Sequence, residues 1–225
     1  MDSNHARGDG SMSGPFPALQ GLSAYPKPEA FRYALMLAKP KDRRALVYLW
    51  LTEGCPFGME PRIYQWFRAK VAKVAGIECK AVSLTGSYRL GYSLKPNQFG
   101  VGVKPTSDID GLIVSSQLFD RVLSVAREVA RKHRSELVPE VERCAKQNFV
   151  RTDYIVPRKR SSLVQSMHDC YLFLSNAPFN LEFDHQHSCF FVYRDWDSAI
   201  RKNMWFLEKL KKGLAKQENP TGGKS

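Results

Sequence analysis

Apolar positions along this chain recur with two periods, and the alternation between them divides it into elements. Phe31, Leu35 and Leu37, then Leu46, Val47, Leu49 and Trp50, predict two helices parted near Lys39-Pro40. Cys55-Pro56-Phe57-Gly58 reads as a turn. Pro61 then stands where a first-turn proline belongs, opening a helix through Ile63, Trp66, Phe67, Val71 and Val74 to Gly76. The short apolar run Ala81-Val82-Ser83-Leu84 suits a buried strand, and Ser107 to Val114 a second. Gln117 to His133 and Leu137 to Gln147 read as helices, and Phe149 to Pro157 as a strand-like stretch. Ser161 can cap a helix running to Leu174. Phe179 to His185 and Cys189 to Tyr193 predict a β-hairpin, and Trp196 to Leu214 a closing amphipathic helix.

The pattern defines an α+β chain. Residues 1–21 are rich in Gly, Ser and Pro without periodicity and are expected to be a disordered tail, as are residues 215–225. Between them an N-terminal helical segment, 22–58, precedes a single domain over 59–214.

Composition narrows the function classes. At 225 residues, with 43% hydrophobic and 12% aromatic content, the chain can bury a proper core. Its apolar runs fall short of a membrane span, and nothing at the start resembles a signal peptide, so no membrane partner is expected. The five cysteines are scattered and form no CxxC pair, which argues against a zinc ribbon or a disulfide framework and points to a reducing cytoplasm. The net charge of +12 favours polyanionic partners, RNA or nucleoside triphosphates among them. Arg158-Lys159-Arg160 is the densest basic cluster.

Candidate chemistry gathers between residues 81 and 115. The first strand breaks at Thr85-Gly86-Ser87, where glycine lets the backbone approach a ligand and serine offers a hydroxyl. Period-2 geometry puts Asp108 and Asp110 on one face of the second strand, with Ile109 on the other. Two carboxylates so close repel unless a cation or a shared proton relieves them, and oxygen-only ligands suit Mg²⁺.

Gly86-Ser87 at a strand-to-turn junction, followed by Asp108-Ile109-Asp110 leading a second strand, resembles the DNA polymerase β-type nucleotidyltransferase superfamily. The resemblance implies an α+β nucleotidyltransferase core with a small mixed sheet and flanking helices. It implies a Gly-Ser turn that holds nucleotide phosphates, and paired acids that, with a third on a later strand, hold two Mg²⁺ ions (Mn²⁺ as a substitute). Two departures stand out. Twenty residues separate Ser87 from Asp108, more than the family's usual gap, so Lys95 to Thr106 reads as an enlarged loop. The family's arginine before the second glycine is displaced one place, to Arg89, with Leu90 preceding Gly91. Arg89 and Lys95 are the expected triphosphate contacts.

Two acids compete for the third position. Glu182 alternates with Leu181 and Phe183, as a half-buried strand should, and the text from Phe179 to Asp195 is similar to the superfamily's GrpB-type branch. That branch carries histidine at the place of Glu182, so the strand carries over and the acid does not. Asp153 leads Tyr154-Ile155-Val156-Pro157, similar to the Asp-apolar-apolar-Pro of cyclic-dinucleotide synthases in the same superfamily. The residues lean slightly toward Glu182. The resemblance implies transfer of a nucleoside monophosphate from an NTP such as ATP to an acceptor hydroxyl on RNA, tRNA or a nucleotide. A degenerate fold that only binds nucleic acid or a protein is the alternative.

Overall fold

The computed structural model describes Leu19, residues 22–176 and residues 181–218. Most of both expected tails, and Phe179 and Asn180 of the expected hairpin, lie outside the described residues. Helices α1 (Pro28–Leu37), α2 (Pro40–Thr52) and α3 (Pro61–Ala75) each open on a proline, whose missing N–H costs nothing in a first turn. Gly76 closes α3 in the left-handed conformation at φ 71°. Strand β1 (Val82–Thr85), the short α4 (Ser87–Leu90) and strand β2 (Asp110–Val114) follow. Ser115 then caps α5 (Ser116–His133), accepting the Leu118 N–H at 3.3 Å. Next come α6 (Val138–Lys146), β3 (Phe149–Arg151), α7 (Ser162–Ser175), β4 (Cys189–Tyr193) and α8 (Trp196–Glu218). The last helix runs past its predicted end at Leu214, through residues assigned to the tail.

The chain is a mixed α+β fold: a small four-stranded sheet, ordered β1-β2-β4-β3, with helices flanking it. β1 pairs antiparallel with β2, β2 parallel with β4, and β4 antiparallel with β3. Alternation gives the sheet two faces. On one, Gly111 lets Phe190 and Tyr171 close over the strand: a Cβ there would stand 2.3 Å from the Phe190 ring and 2.6 Å from the Tyr171 hydroxyl. Tyr171 of α7 stacks on Phe190 at 4.7 Å, and Phe67 of α3 packs beside both. The other face carries Ser83, Phe149 and Tyr193. It meets α2, where Ser83 donates to the Leu51 carbonyl, and α8, where the Lys202 ammonium lies 4.6 Å from the Phe149 ring centre.

Three predicted strands differ from expectation, the first being β2, which opens at Asp110 rather than Ser107 and leaves Asp108 outside the ladder. After Arg151 the chain leaves the ladder: the Thr152 hydroxyl takes over as acceptor for the Phe190 N–H at 2.9 Å, and a 3₁₀ turn over Thr152–Tyr154 follows. Of the expected hairpin, the described residues 181–185 form no strand, while Cys189–Tyr193 do. Asp184 accepts from the N–H groups of Gln186 (3.0 Å) and His187 (3.2 Å), and this local closure outcompetes strand pairing.

Candidate active site

The register of the sheet builds the site. Thr85 pairs with Asp110 across β1 and β2, so the Gly86 turn leaves β1 directly beside the acid that opens β2. Gly86 has φ 71° and ψ −156°, a conformation essentially reserved for glycine. A Cβ on it would lie 3.0 Å from Asp110 Oδ2. The turn and the carboxylate are therefore in contact distance of one another, and only a residue without a side chain fits between them. Gly86→Ala is expected to cost about 1–3 kcal/mol from backbone strain alone, measurable by urea denaturation, and to displace the Asp110 carboxylate.

Asp108 and Ile109 precede the strand, fastened to the Asp184–Ser188 turn: the Asp184 N–H donates to the Ser107 carbonyl at 2.9 Å. The Ile109 N–H donates to Ser188 Oγ at 2.9 Å, and the Ser188 hydroxyl donates to the Asp184 carbonyl at 2.8 Å. Ile109 is fully buried, while Asp108 and Asp110 are each partly exposed, as the alternation predicts. Burial, and then the neighbouring Asp108 charge, push the Asp110 carboxyl up to about 7. The Cys189 thiol faces Asp110 Oδ1 at 3.5 Å, and the Arg151 guanidinium partly offsets the rise.

The two candidates for a third acid have different neighbours. Asp153 is clasped by the Arg151 guanidinium at both oxygens, one contact measuring 3.0 Å, and its charge reaches Asp110. Glu182, expected on a half-buried strand, lies in irregular chain with its residue exposed. Its backbone carbonyl accepts the Tyr88 hydroxyl at 2.7 Å. Burial, then the charges of Asp108 and Glu182, push the Tyr88 phenol up to about 12, so it stays neutral as a donor. Among the described residues no three His, Cys, Asp or Glu side chains are grouped to hold a metal ion.

Arg89 needs correction. It does not face the turn's solvent side, where triphosphate would lie, but is 3% exposed. Its guanidinium donates to the carbonyls of Trp50 and Cys55, and to that of Leu49 at 3.4 Å. Three backbone acceptors occupy the fork that was expected to bind phosphate. Lys95 is exposed at the start of a 3₁₀ turn in the enlarged loop. Arg158 of the basic triplet is tied to the Gln186 carbonyl (2.6 Å) and the Ser188 carbonyl (3.3 Å), which fastens the loop under Ile109.

Sequence reasoning marks neither Tyr88 nor Arg151 as a site residue, and offers Cys189 only as a weak zinc ligand beside His185 and His187. Tyr88 directly follows the Gly-Ser pair, and its position was a usable signal. Cys189 and Arg151 reach the site only through the parallel β2–β4 register and its antiparallel neighbour, which no local pattern encodes.

Compared with known protein families, with curated proteins and with solved structures, the chain matches none.

Proposed function

We propose that this chain is a Mg²⁺-dependent nucleotidyltransferase, moving a nucleoside monophosphate from an NTP to an acceptor hydroxyl on an RNA end or a nucleotide. The observation that carries the reading is the fit of Gly86 against Asp110. A turn suited to close approach by a phosphate abuts an acid pair whose neighbouring cation, Arg151, is bound to Asp153 and only partly offsets the repulsion. The donor set fits magnesium: two oxygen ligands whose mutual repulsion, one cause of the raised Asp110 value, a cation would relieve. Asp108 and Asp110 would hold the ion, with Asp153, whose charge is felt at Asp110, or Glu182 as the third acid. Bound there, magnesium would neutralise triphosphate charge and make the acceptor hydroxyl easier to deprotonate.

The protein's own groups supply position. Gly86 sets the height of the turn, Ser87 offers its hydroxyl to phosphate oxygens, and Arg151 holds Asp153 at a fixed orientation toward Asp110. Tyr88 closes the side by Asp108.

A second reading is a nucleotidyltransferase-like module that binds nucleic acid or a partner protein without chemistry. What favours it is the lack, among the described residues, of a three-ligand group. Incubating the protein with each α-labelled NTP, Mg²⁺ or Mn²⁺, and total RNA separates the two. Label should enter RNA or a new nucleotide, and should do so in neither the Asp108→Ala nor the Asp110→Ala variant. No transfer with either metal would sink the enzyme reading and leave the module.

A further inference from the structure

The +12 charge is not spread evenly, and one helix concentrates it with an aromatic side chain. Besides Asp197 and Gln217, the exposed residues described along α8 are Arg201, Trp205, Lys209, Lys212 and Lys216. At 3.6 residues per turn they fall within about 80° around the axis, over about 22 Å of its length. Of the four tryptophans, Trp50 is buried, Trp66 and Trp196 are partly buried against the core, and Trp205 keeps 48% of its surface exposed. The Lys209 ammonium lies 3.9 Å from its ring centre and that of Lys202 4.6 Å.

Asp197 and Glu208, which border this face, are each neutralised by an arginine of α2. Asp197 pairs with Arg44 at 3.1 Å and Glu208 with Arg43, both on α2. Neither Lys212 nor Lys216 has an ion-pair partner among the described residues. Cations suit the last turn of a helix, which accounts for Lys216. That effect does not extend to Lys209 or Lys212 farther back, and gives no reason to leave an indole in water.

The far end of the helix meets the enlarged loop. Gly213 leaves room for Pro96, whose Cβ would be 2.5 Å from an added Cβ, and the Gln217 amide donates to the Pro96 carbonyl at 2.9 Å. Pro96 belongs to the enlarged loop that joins the Gly86-Ser87 turn to Asp108. The helix that carries the stripe thus ends against the loop that joins Ser87 to Asp108 in sequence.

We infer that this face of α8 docks single-stranded RNA, with phosphates on Arg201, Lys209, Lys212 and Lys216 and an unstacked base on Trp205. Cations in a row with an interleaved aromatic are the chemistry of single-strand binding, and a duplex offers no free base to the indole. The choice of RNA rests on the transferase reading, in which an RNA hydroxyl accepts; the charged, aromatic face does not.

The test is fluorescence anisotropy of a labelled 12-mer oligouridylate with the full chain across a salt series, with no NTP present. Lys209→Glu/Lys212→Glu/Lys216→Glu should weaken binding at least tenfold and lower the log–log salt slope by about 2, given about 0.7 per phosphate contact on a single strand. Trp205→Ala should weaken it about tenfold with the slope unchanged, the signature of lost stacking. Circular dichroism and thermal melting of each variant keep misfolding apart from lost contacts. As a charge-matched control, Arg121→Glu/Arg131→Glu/Lys132→Glu on α5 should stay within about threefold of the parent, because it leaves the stripe intact. Equal loss in that control, no effect of Trp205→Ala, or equal affinity for a duplex would overturn the docking face. Equal affinity for the deoxy 12-mer would overturn the RNA assignment. Since binding is read without NTP, failure of transfer leaves this result standing, and failure here leaves the transfer assay to decide alone.

Discussion

Asp110→Asn is expected to stabilise the protein above pH 7 while removing transfer, a pair of effects that a merely structural aspartate would not give. The folded carboxyl titrates near 7 against an ordinary value of 3.8, because burial and the Asp108 charge both oppose ionisation. Below about pH 4 the group is protonated in both folded and unfolded chains and costs nothing. As pH rises from there toward 7, the unfolded chain ionises first, so this group subtracts stability progressively; above 7 the penalty is complete and flat. The full shift would correspond to about 4 kcal/mol. Partial water contact at the site reduces this to about 1–2 kcal/mol, or roughly 2–8 °C in melting temperature for a chain of this size. Asparagine keeps the shape and drops the charge. Its melting temperature should exceed the parent's at pH 8 and match it at pH 4, and transfer should fall a hundredfold or more, by analogy with losing one preorganised charge-stabilising group. Added Mg²⁺ should raise the melting temperature of the parent at pH 8 and leave that of the variant unmoved. Thermal melting at the two pH values with and without Mg²⁺ checks all of this. A variant no more stable than the parent at pH 8 would show that Asp110 carries no such strain.

How much of this was legible depended on whether the deciding interaction was local. Proline starts and serine caps act within one turn, which is why α1, α2, α3, α5 and α7 fall where the pattern puts them. The Gly86 turn and the Asp108/Asp110 alternation were legible for the same reason. The β2–β4 pairing was not, since its strands are separated by three helices and another strand, and nothing in either segment names its partner. Glu182 shows the converse failure. Alternation over Leu181-Glu182-Phe183 is a strand signal, but Asp184 supplies a competing turn two residues later, and the side chain won. Thr152 cuts β3 short by a similar device.

Arg89→Met should be the most destabilising single change at the turn, and should act on the N-terminal helices rather than on nucleotide affinity. The last carbonyls of a helix have no partners within it. In α2 those of Leu49 and Trp50 are met by the Arg89 guanidinium, and that of Leu51 by the Ser83 hydroxyl. The Cys55 carbonyl, in the chain just past the helix, completes the set on Arg89. The guanidinium also places a positive charge at the negative end of the helix dipole. Its burial lowers its pKa below the ordinary value, so the site carries a desolvation cost that the carbonyls offset. Methionine fills similar space but leaves these acceptors without donors, at about 1 kcal/mol or more apiece and about 3 kcal/mol together. The melting temperature should fall by roughly 6–12 °C, and amide exchange should quicken in α2 more than in α5. Arg89→Lys should recover only part of the loss, because an ammonium cannot span the fork. Were Arg89 a phosphate ligand instead, the methionine variant would keep its stability and lose affinity for NTP, an outcome that would contradict the buried placement outright. The expected result makes residues 22–58 more than a separable appendage: the turn that presents Gly86 and Ser87 is fastened to α2 two residues later, so loosening the helix should loosen the site.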